Sequence, residues 1–492
     1  MGKKALIGNE KRKKIMLTIC GEIFDKLLKR EVNYCHWKSN EHLEEGLDGK
    51  TDLDILVSEK HAKKFRDTLT ECKCIRVKPQ LGSRYPKVEE WIGFDKETGK
   101  LIHLHVHFRI ITGTKHLKEY MLPWHDLALQ TKVLDDTGKV YIMEPDLELI
   151  ILYIRIVLKQ SRKIEEMERF ELSREYRREI SWLKQRIDPK RVAQLADKVW
   201  GNDKEEFIQI ILREKNVKKD FVKLQKLARD KINSVRRGRI LNNLQIQAVC
   251  RQVITCKLFL KEKWGIVPFT TLKTVYGKGC VIAFIGCDGS GKSSVTREIC
   301  NWLGWKLDSQ NFYFGMGDRY KKPFVYKLSQ NNLFPEPLRK TCSLLFYYGI
   351  SLRCKYMRRL IELYVKRGGI AICDRYPQTQ FKGIYDGPKI QALRLYDETV
   401  LGKFFIKMEE KNLAEAVSEK ADCVFKLILP AELAVQRSPG HNIGEVKRKA
   451  DITEKLQFPN CDVYKIDVRQ PYEKELLQIK EIIWEKLVER QL

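Results

Sequence analysis

No hydrophobic run in the sequence is long enough to cross a bilayer. The most apolar helical stretch, Leu147 to Leu158, falls short of the ~20 residues a span requires and carries Glu148 and Arg155. No membrane span is expected. Paired C-x-x-C knuckles are also missing, so the 14 Cys do not point to a structural zinc site. They sit singly, many in apolar strings as Cys280 and Cys287 do, which suits reduced core thiols in a cytosol. No repeat at a period of ~20–50 residues and no low-complexity tract occurs, which sets aside solenoids and disordered tails. The N-terminal MGKKALIGNEKRKK has no apolar run ending in a small-residue cleavage site, and Leu6 does not fit a myristoylation signal. A cytoplasmic location is the expectation. Acidic residues are in deficit, with 65 Asp and Glu against 93 Lys and Arg, giving a net charge of +28. Such a field attracts nucleotides, nucleic acid or an acidic surface without choosing among them.

What is present is ample core material. With 492 residues, of which 43% are hydrophobic, the chain suits about three folding units and excludes wholesale disorder. Residues 1–143 mix short apolar strings, such as DLDILV and LIHLHVHF, with Gly, Pro and Thr, the texture of an α+β domain. Residues 144–264 have little Gly or Pro, and Leu147, Ile150, Ile151, Ile154 and Val157 recur at helical spacing, which predicts an all-α bundle. Its many Arg and Lys give it a basic face. Residues 265–279, rich in Gly and Thr, read as a linker. From 280 to 492, the strings CVIAFIG, IAICD, VFKLILP and VYKID alternate with helical segments, which predicts an α/β domain with a buried parallel sheet.

The first of those strings runs into Gly286-Cys-Asp-Gly-Ser-Gly-Lys-Ser293, the pattern G-x-x-x-x-G-K-[ST], followed by a helical stretch. Glycines there let backbone amides converge on phosphate oxygens at a helix N-terminus, while the Lys292 ammonium neutralises phosphate charge and the Ser293 hydroxyl ligates magnesium. A later string ends in Asp374-Arg375-Tyr376, an acid and a guanidinium at the end of a strand, where doubly wound sheets carry their ligands. Asp374 would hold Mg²⁺ through water.

These motifs resemble the thymidylate kinase branch of the nucleoside monophosphate kinases over the C-terminal ~215 residues. The Asp288-Gly289 insertion in the loop, the Asp-Arg-Tyr strand end and Arg353, 21 residues before Asp374, carry the resemblance. It implies a P-loop NTPase fold, ATP and Mg²⁺, with Gly286, Asp288, Gly289, Ser290, Gly291, Lys292, Ser293 and Ser294 around ATP. It implies acceptor contacts from Asp288, Arg353, Arg375 and Tyr376, and catalysis by Lys292, Asp374, Arg375 and a lid cation. Position 290 is Ser rather than Arg, so that cation is expected among Arg437, Lys447, Arg448 and Lys449, with Arg448 chosen. The family's acceptor-phosphate segment is replaced by NFYFGMGDRY, where Arg319 is the substitute, and this leaves the acceptor open between a nucleotide and a saccharide or other small molecule.

In the N-terminal region, Asp52 and Asp54 share one strand face by the period of two, and the preceding Lys38-Ser39 stands where a nucleotidyltransferase starts its fold. The resemblance to nucleotidyltransferases spans residues ~20–108 and implies metal binding by Asp52 and Asp54. The family's third acid is missing from the string at 101–108, which instead puts His103, His105 and His107 on one face. Those rings are suited to ligating a transition metal, donating to phosphate or lining a polar groove. The expected protein is a multidomain ATP-dependent phosphotransferase acting on a phosphate-accepting small molecule. A nucleotidyltransferase and an ATP-switched regulator that binds nucleic acid through its basic surface are the alternatives, and homodimerisation is left open.

Overall fold

The computed structural model describes residues 16–80, 83–114, 117–160, 172–201, 204–214, 217–232, 243–315, 323–393, 399–418, 420–437 and 442–491. The chain divides into two compact units, one of residues 1–76 and 82–250, the other of residues 77–81 and 251–492.

The first unit is built on strands β1 (Tyr34–His36), β2 (Asp52–Val57), β3 (Ile75–Lys78), β4 (Val88–Phe94), β5 (Leu101–His107), β6 (Ile110–Thr112), β7 (Tyr120–Leu122), β8 (Val133–Leu134) and β9 (Tyr141–Ile142). In its main sheet the order is β3-β4-β5-β2-β1-β9-β8. β2 and β5 are parallel, with Asp52 opposite His103 and Asp54 opposite His105. β4 runs antiparallel to β5 and sets Glu90 opposite His105. On one side, Leu53, Ile55 and Val57 pack with Ile19, Ile23, Phe24 and Leu27 of the helix Thr18–Lys29.

The other side carries the helix Pro145–Lys159, which opens with Pro at a first-turn position where its missing N–H costs nothing. The spacing predicted one apolar stripe on this helix. In the structure every residue from Asp146 to Leu158 is buried, because strand residues Cys35, Leu56 and Ile110, Trp37 just past β1, and helix residues Leu183, Leu195, Phe207 and Leu224 belong to the same core. Residues of the basic helical region therefore share a hydrophobic core with the α+β strands. Each fully buried Leu or Ile there contributes roughly 1.5–3 kcal/mol.

The second unit contains β10 (Thr274–Val275), β11 (Val281–Gly286), β12 (Ser309–Tyr313), β13 (Ile370–Asp374), β14 (Cys423–Ile428) and β15 (Asp462–Asp467). The last five form a sheet in the order β12-β13-β11-β14-β15, and every pairing is parallel. All positions of β11 and β13 are buried, as a sheet covered on both faces requires. β11 is central, and the chain leaves it first towards β12 and β13 and later towards β14. The C-terminal end of β11 is thus the point where the winding reverses, the place at which such sheets bind ligands.

Among the described residues no helix is long and apolar enough to cross a membrane. The cysteines are free thiols and most are buried; burial pushes the Cys20, Cys354 and Cys373 thiols up to about 12.

Candidate functional site

β11 delivers the chain into the loop Cys287–Gly291, and the helix Lys292–Gly304 begins directly after it. Gly289 and Gly291 have φ of 82° and 83°, the left-handed region that L side chains resist. At Gly286 a Cβ would lie 2.4 Å from Ser290 Oγ and 3.0 Å from the Leu427 carbonyl oxygen, so a side chain there would force the Ser290 hydroxyl and the Leu427 backbone to shift. Lys292 is buried and donates from Nζ to the Cys287 carbonyl at 2.6 Å, its ammonium arched over the loop. Burial lowers its pKa to about 8, with Arg375 acting in the same direction and Asp288 and Asp374 opposing.

The neighbouring strand completes the site. β13 pairs with β11 so that Asp374 is opposite Phe284, and Ser293 Oγ donates to Asp374 Oδ2 at 2.7 Å. A hydroxyl at the start of the helix and a buried carboxylate from the next strand are therefore face to face, two hard oxygen donors of the kind Mg²⁺ takes. Arg375 follows with φ of 71°, unusual for a residue with a Cβ, and its guanidinium lies 3.9 Å from Asp288 Oδ1 and over the ring of Tyr313.

Lys449, on the helix Ile443–Lys455, bridges Asp288 Oδ2 at 2.7 Å and Glu445 Oε1 at 2.9 Å. Burial works against ionisation of Asp288, yet the Lys449 hydrogen bond and charge, together with the charges of Lys292 and Arg375, outweigh it and hold the carboxyl below its ordinary range. Arg448 is exposed beside it, and Lys447 is exposed too. Arg437 donates to the Val468 carbonyl at 3.4 Å. Ser290 is buried and Ser294 exposed. Arg353 spends its fork on the carbonyls of Gly315 and Tyr313, at 3.1 and 2.7 Å, and so fixes the end of β12. Tyr376 is buried, its ring 6.1 Å from those of Phe314 and Phe458. Arg319 lies outside the described residues.

A second cluster occupies the first unit. Asp52 and Asp54 lie on one face of β2, as the alternation predicted, but different groups engage them. Asp52 Oδ1 is 2.9 Å from His103 Nδ1. Asp54 Oδ1 is 2.7 Å from Lys38 Nζ, 3.0 Å from His105 Nδ1 and 3.7 Å from His107 Nε2. Burial opposes the Asp54 charge, but Lys38, His105 and His107 together hold its pKa well below the carboxylate range. Burial lowers His105 and His107, whereas the carboxylates of Asp52 and Glu90 overcome burial at His103 and raise it.

Sequence reasoning missed the acid of this cluster. Glu90 of β4 places Oε2 2.5 Å from His103 Nε2 and Oε1 3.5 Å from His105 Nε2. Its signal was the turn Asp95–Lys100 with Gly99 at φ of 69°, which marks β4 and β5 as a hairpin. Behind Lys38, Ser39 has φ of 55°, and Asn40 donates from its backbone and its Nδ2 to the two oxygens of Glu148, at 3.1 and 2.7 Å. Burial and the nearby Glu179 push Glu148 up to about 8.

No family model matches the sequence. The chain is similar to the "Uncharacterized ATP-binding protein YghR" of Escherichia coli K12, 27% identical over an alignment of 222 residues that covers 41% of this chain and 86% of the relative. It is likewise similar to YghS of the same strain, also titled an uncharacterized ATP-binding protein, 27% identical over 218 residues, 40% of this chain and 89% of the relative. Among solved structures, the deoxyadenosine kinase from M. mycoides with bound dATP aligns with a TM-score of 0.28 and 14% identity, over 42% of this chain and 98% of that one. The same kinase with bound dCTP gives 0.26 and 14%, over 41% and 98%.

Proposed function

We propose that the second unit is an ATP-dependent phosphotransferase of the thymidylate and nucleoside monophosphate kinase type, which passes the γ-phosphate of ATP to a nucleotide or related acceptor. The observation that carries this reading is the 2.7 Å contact of Ser293 Oγ with Asp374 Oδ2 beside the buried Lys292, at the reversal point of a parallel sheet. The relatives YghR and YghS are both named ATP-binding proteins, which supports ATP as the donor.

Ser293 and Asp374 are the residues that would hold Mg²⁺, and the ion, when bound, neutralises charge on the β- and γ-phosphates. The glycine loop cradles the phosphates through its amides, and Lys292 swings from the Cys287 carbonyl to a phosphate oxygen. Arg375, with Lys449 and Arg448 from the helix Ile443–Lys455, stabilises charge on the transferring group while the acceptor oxygen attacks in line. Catalysis then rests on positioning and electrostatics. Asp288, Arg353 and Tyr376 belong to the acceptor side of this scheme.

A second reading, a kinase of a saccharide or other non-nucleotide acceptor, is favoured by Arg353, whose fork is already committed to backbone carbonyls. The two separate on a panel of acceptors offered with γ-labelled ATP and Mg²⁺. Label on one nucleoside monophosphate supports the first reading, and label only on a sugar or other alcohol overturns it in favour of the second.

A further inference from the structure

The cluster on β2 and β5 has the shape of a metal site. Asp54 Oδ1, His105 Nδ1 and His107 Nε2 form a triangle with edges of 3.0, 3.7 and 3.3 Å. Ligands bound tetrahedrally at about 2.0–2.1 Å are separated by about 3.3–3.4 Å, so one ion reaches all three with little movement. Parallel pairing of the strands creates this arrangement, since it sets Asp54 opposite His105 and brings His107 round on the same face.

The surroundings are those of a ligated imidazole. Glu90 Oε1 lies 3.5 Å from the far nitrogen of His105, the carboxylate–histidine relation that orients metal-bound rings. Trp37 meets His107 edge-on, with centroids 5.1 Å apart and planes at 70°, which fixes the plane of that ring.

We propose that Asp54, His105 and His107 bind a transition dication of the zinc class, leaving a fourth position for water or a ligand oxygen. Two imidazoles and one carboxylate suit such an ion, whereas magnesium asks for an octahedron of oxygens. This site is separate from the phosphotransferase site, and the proposal does not depend on that reading. Lys38 Nζ lies 2.7 Å from Asp54 Oδ1 as a cationic partner of this carboxylate, and the incoming ion displaces it.

The test uses the full chain, stripped with a chelator and titrated with Co²⁺ as a spectroscopic probe and with Zn²⁺ for stoichiometry. Expected are one equivalent of metal and the intense visible bands of tetrahedral Co²⁺ without thiolate charge transfer. His105→Ala and His107→Ala each abolish those bands. Asp54→Asn, which keeps the side-chain shape and guards against a folding defect, abolishes them as well. Glu90→Gln weakens Zn²⁺ binding by about 10–100-fold, as second partners of ligating histidines do. Lys38→Met tightens binding, because it removes the competing ammonium. No stoichiometric metal, a thiolate signature, binding unchanged in Asp54→Asn, or binding unchanged or weaker in Lys38→Met overturns the proposal.

Discussion

Lys449 and Asp288 tie the helix Ile443–Lys455 to the phosphate loop, and the strength of that tie can be calculated and measured. Their charged atoms are 2.7 Å apart, and the two side chains are only 17% and 18% exposed. Unit charges about 4 Å apart at an effective dielectric constant of ~20 attract by about 4 kcal/mol. Desolvation of both groups takes part of that back, so the pair should couple by about 1–3 kcal/mol, or about 5- to 150-fold in an opening equilibrium. The assay is native-state hydrogen exchange of the helix amides in wild type, Lys449→Met, Asp288→Asn and the double variant. Each single change should speed exchange in residues 443–455 within that range, and the double variant should be little faster than either. Additive effects of the two single changes would mean that the pair carries no mutual energy and that the helix is held to the loop by other contacts.

Three further outcomes follow from other contacts. Gly286→Ala should weaken ATP binding in calorimetry, because its Cβ meets Ser290 Oγ at 2.4 Å and the Leu427 carbonyl at 3.0 Å and must displace both; unchanged affinity would mean the loop absorbs the methyl without moving. Arg353→Met should speed hydrogen exchange at the end of β12 and just past it, where the carbonyls of Tyr313 and Gly315 lose their donor; unchanged exchange there would remove its clamping role. Glu148, raised from 4.5 to about 8 in the folded chain, keeps a proton that the unfolded chain releases. Its contribution is full below about pH 4.5 and lost as pH rises through about 8. The stability of wild type relative to Glu148→Gln in denaturant titrations should therefore fall as pH rises, by up to about 1.4 kcal/mol per unit, and a constant gap would contradict the burial argument.

Much of the phosphate site was legible because its signals are local. A glycine loop between a strand and a helix, and an acid at the end of an apolar strand, are visible in contiguous residues, and strand pairing needed only to set Asp374 beside Ser293. Which cations of the helix Ile443–Lys455 face the loop was not local information. Val446, Ala450 and Thr453 form the buried side of the helix Ile443–Lys455, which places Lys449 against that stripe and Arg448 on the outside. That phase depends on what the helix packs against. Glu90 was hidden for a similar reason, since its role arises from the β4–β5 register. The helix Pro145–Lys159 read as one stripe because composition shows which residues are apolar, not how many neighbours surround them.

Whether the second unit is a phosphotransferase is decided by transfer of label from γ-labelled ATP with Mg²⁺, compared between wild type and Lys292→Ala across the acceptor panel. Wild type should transfer label to an acceptor and the variant should not, with both proteins folded by circular dichroism. Equal transfer by both proteins, or ATP binding by wild type with no transfer to any acceptor, would contradict that reading.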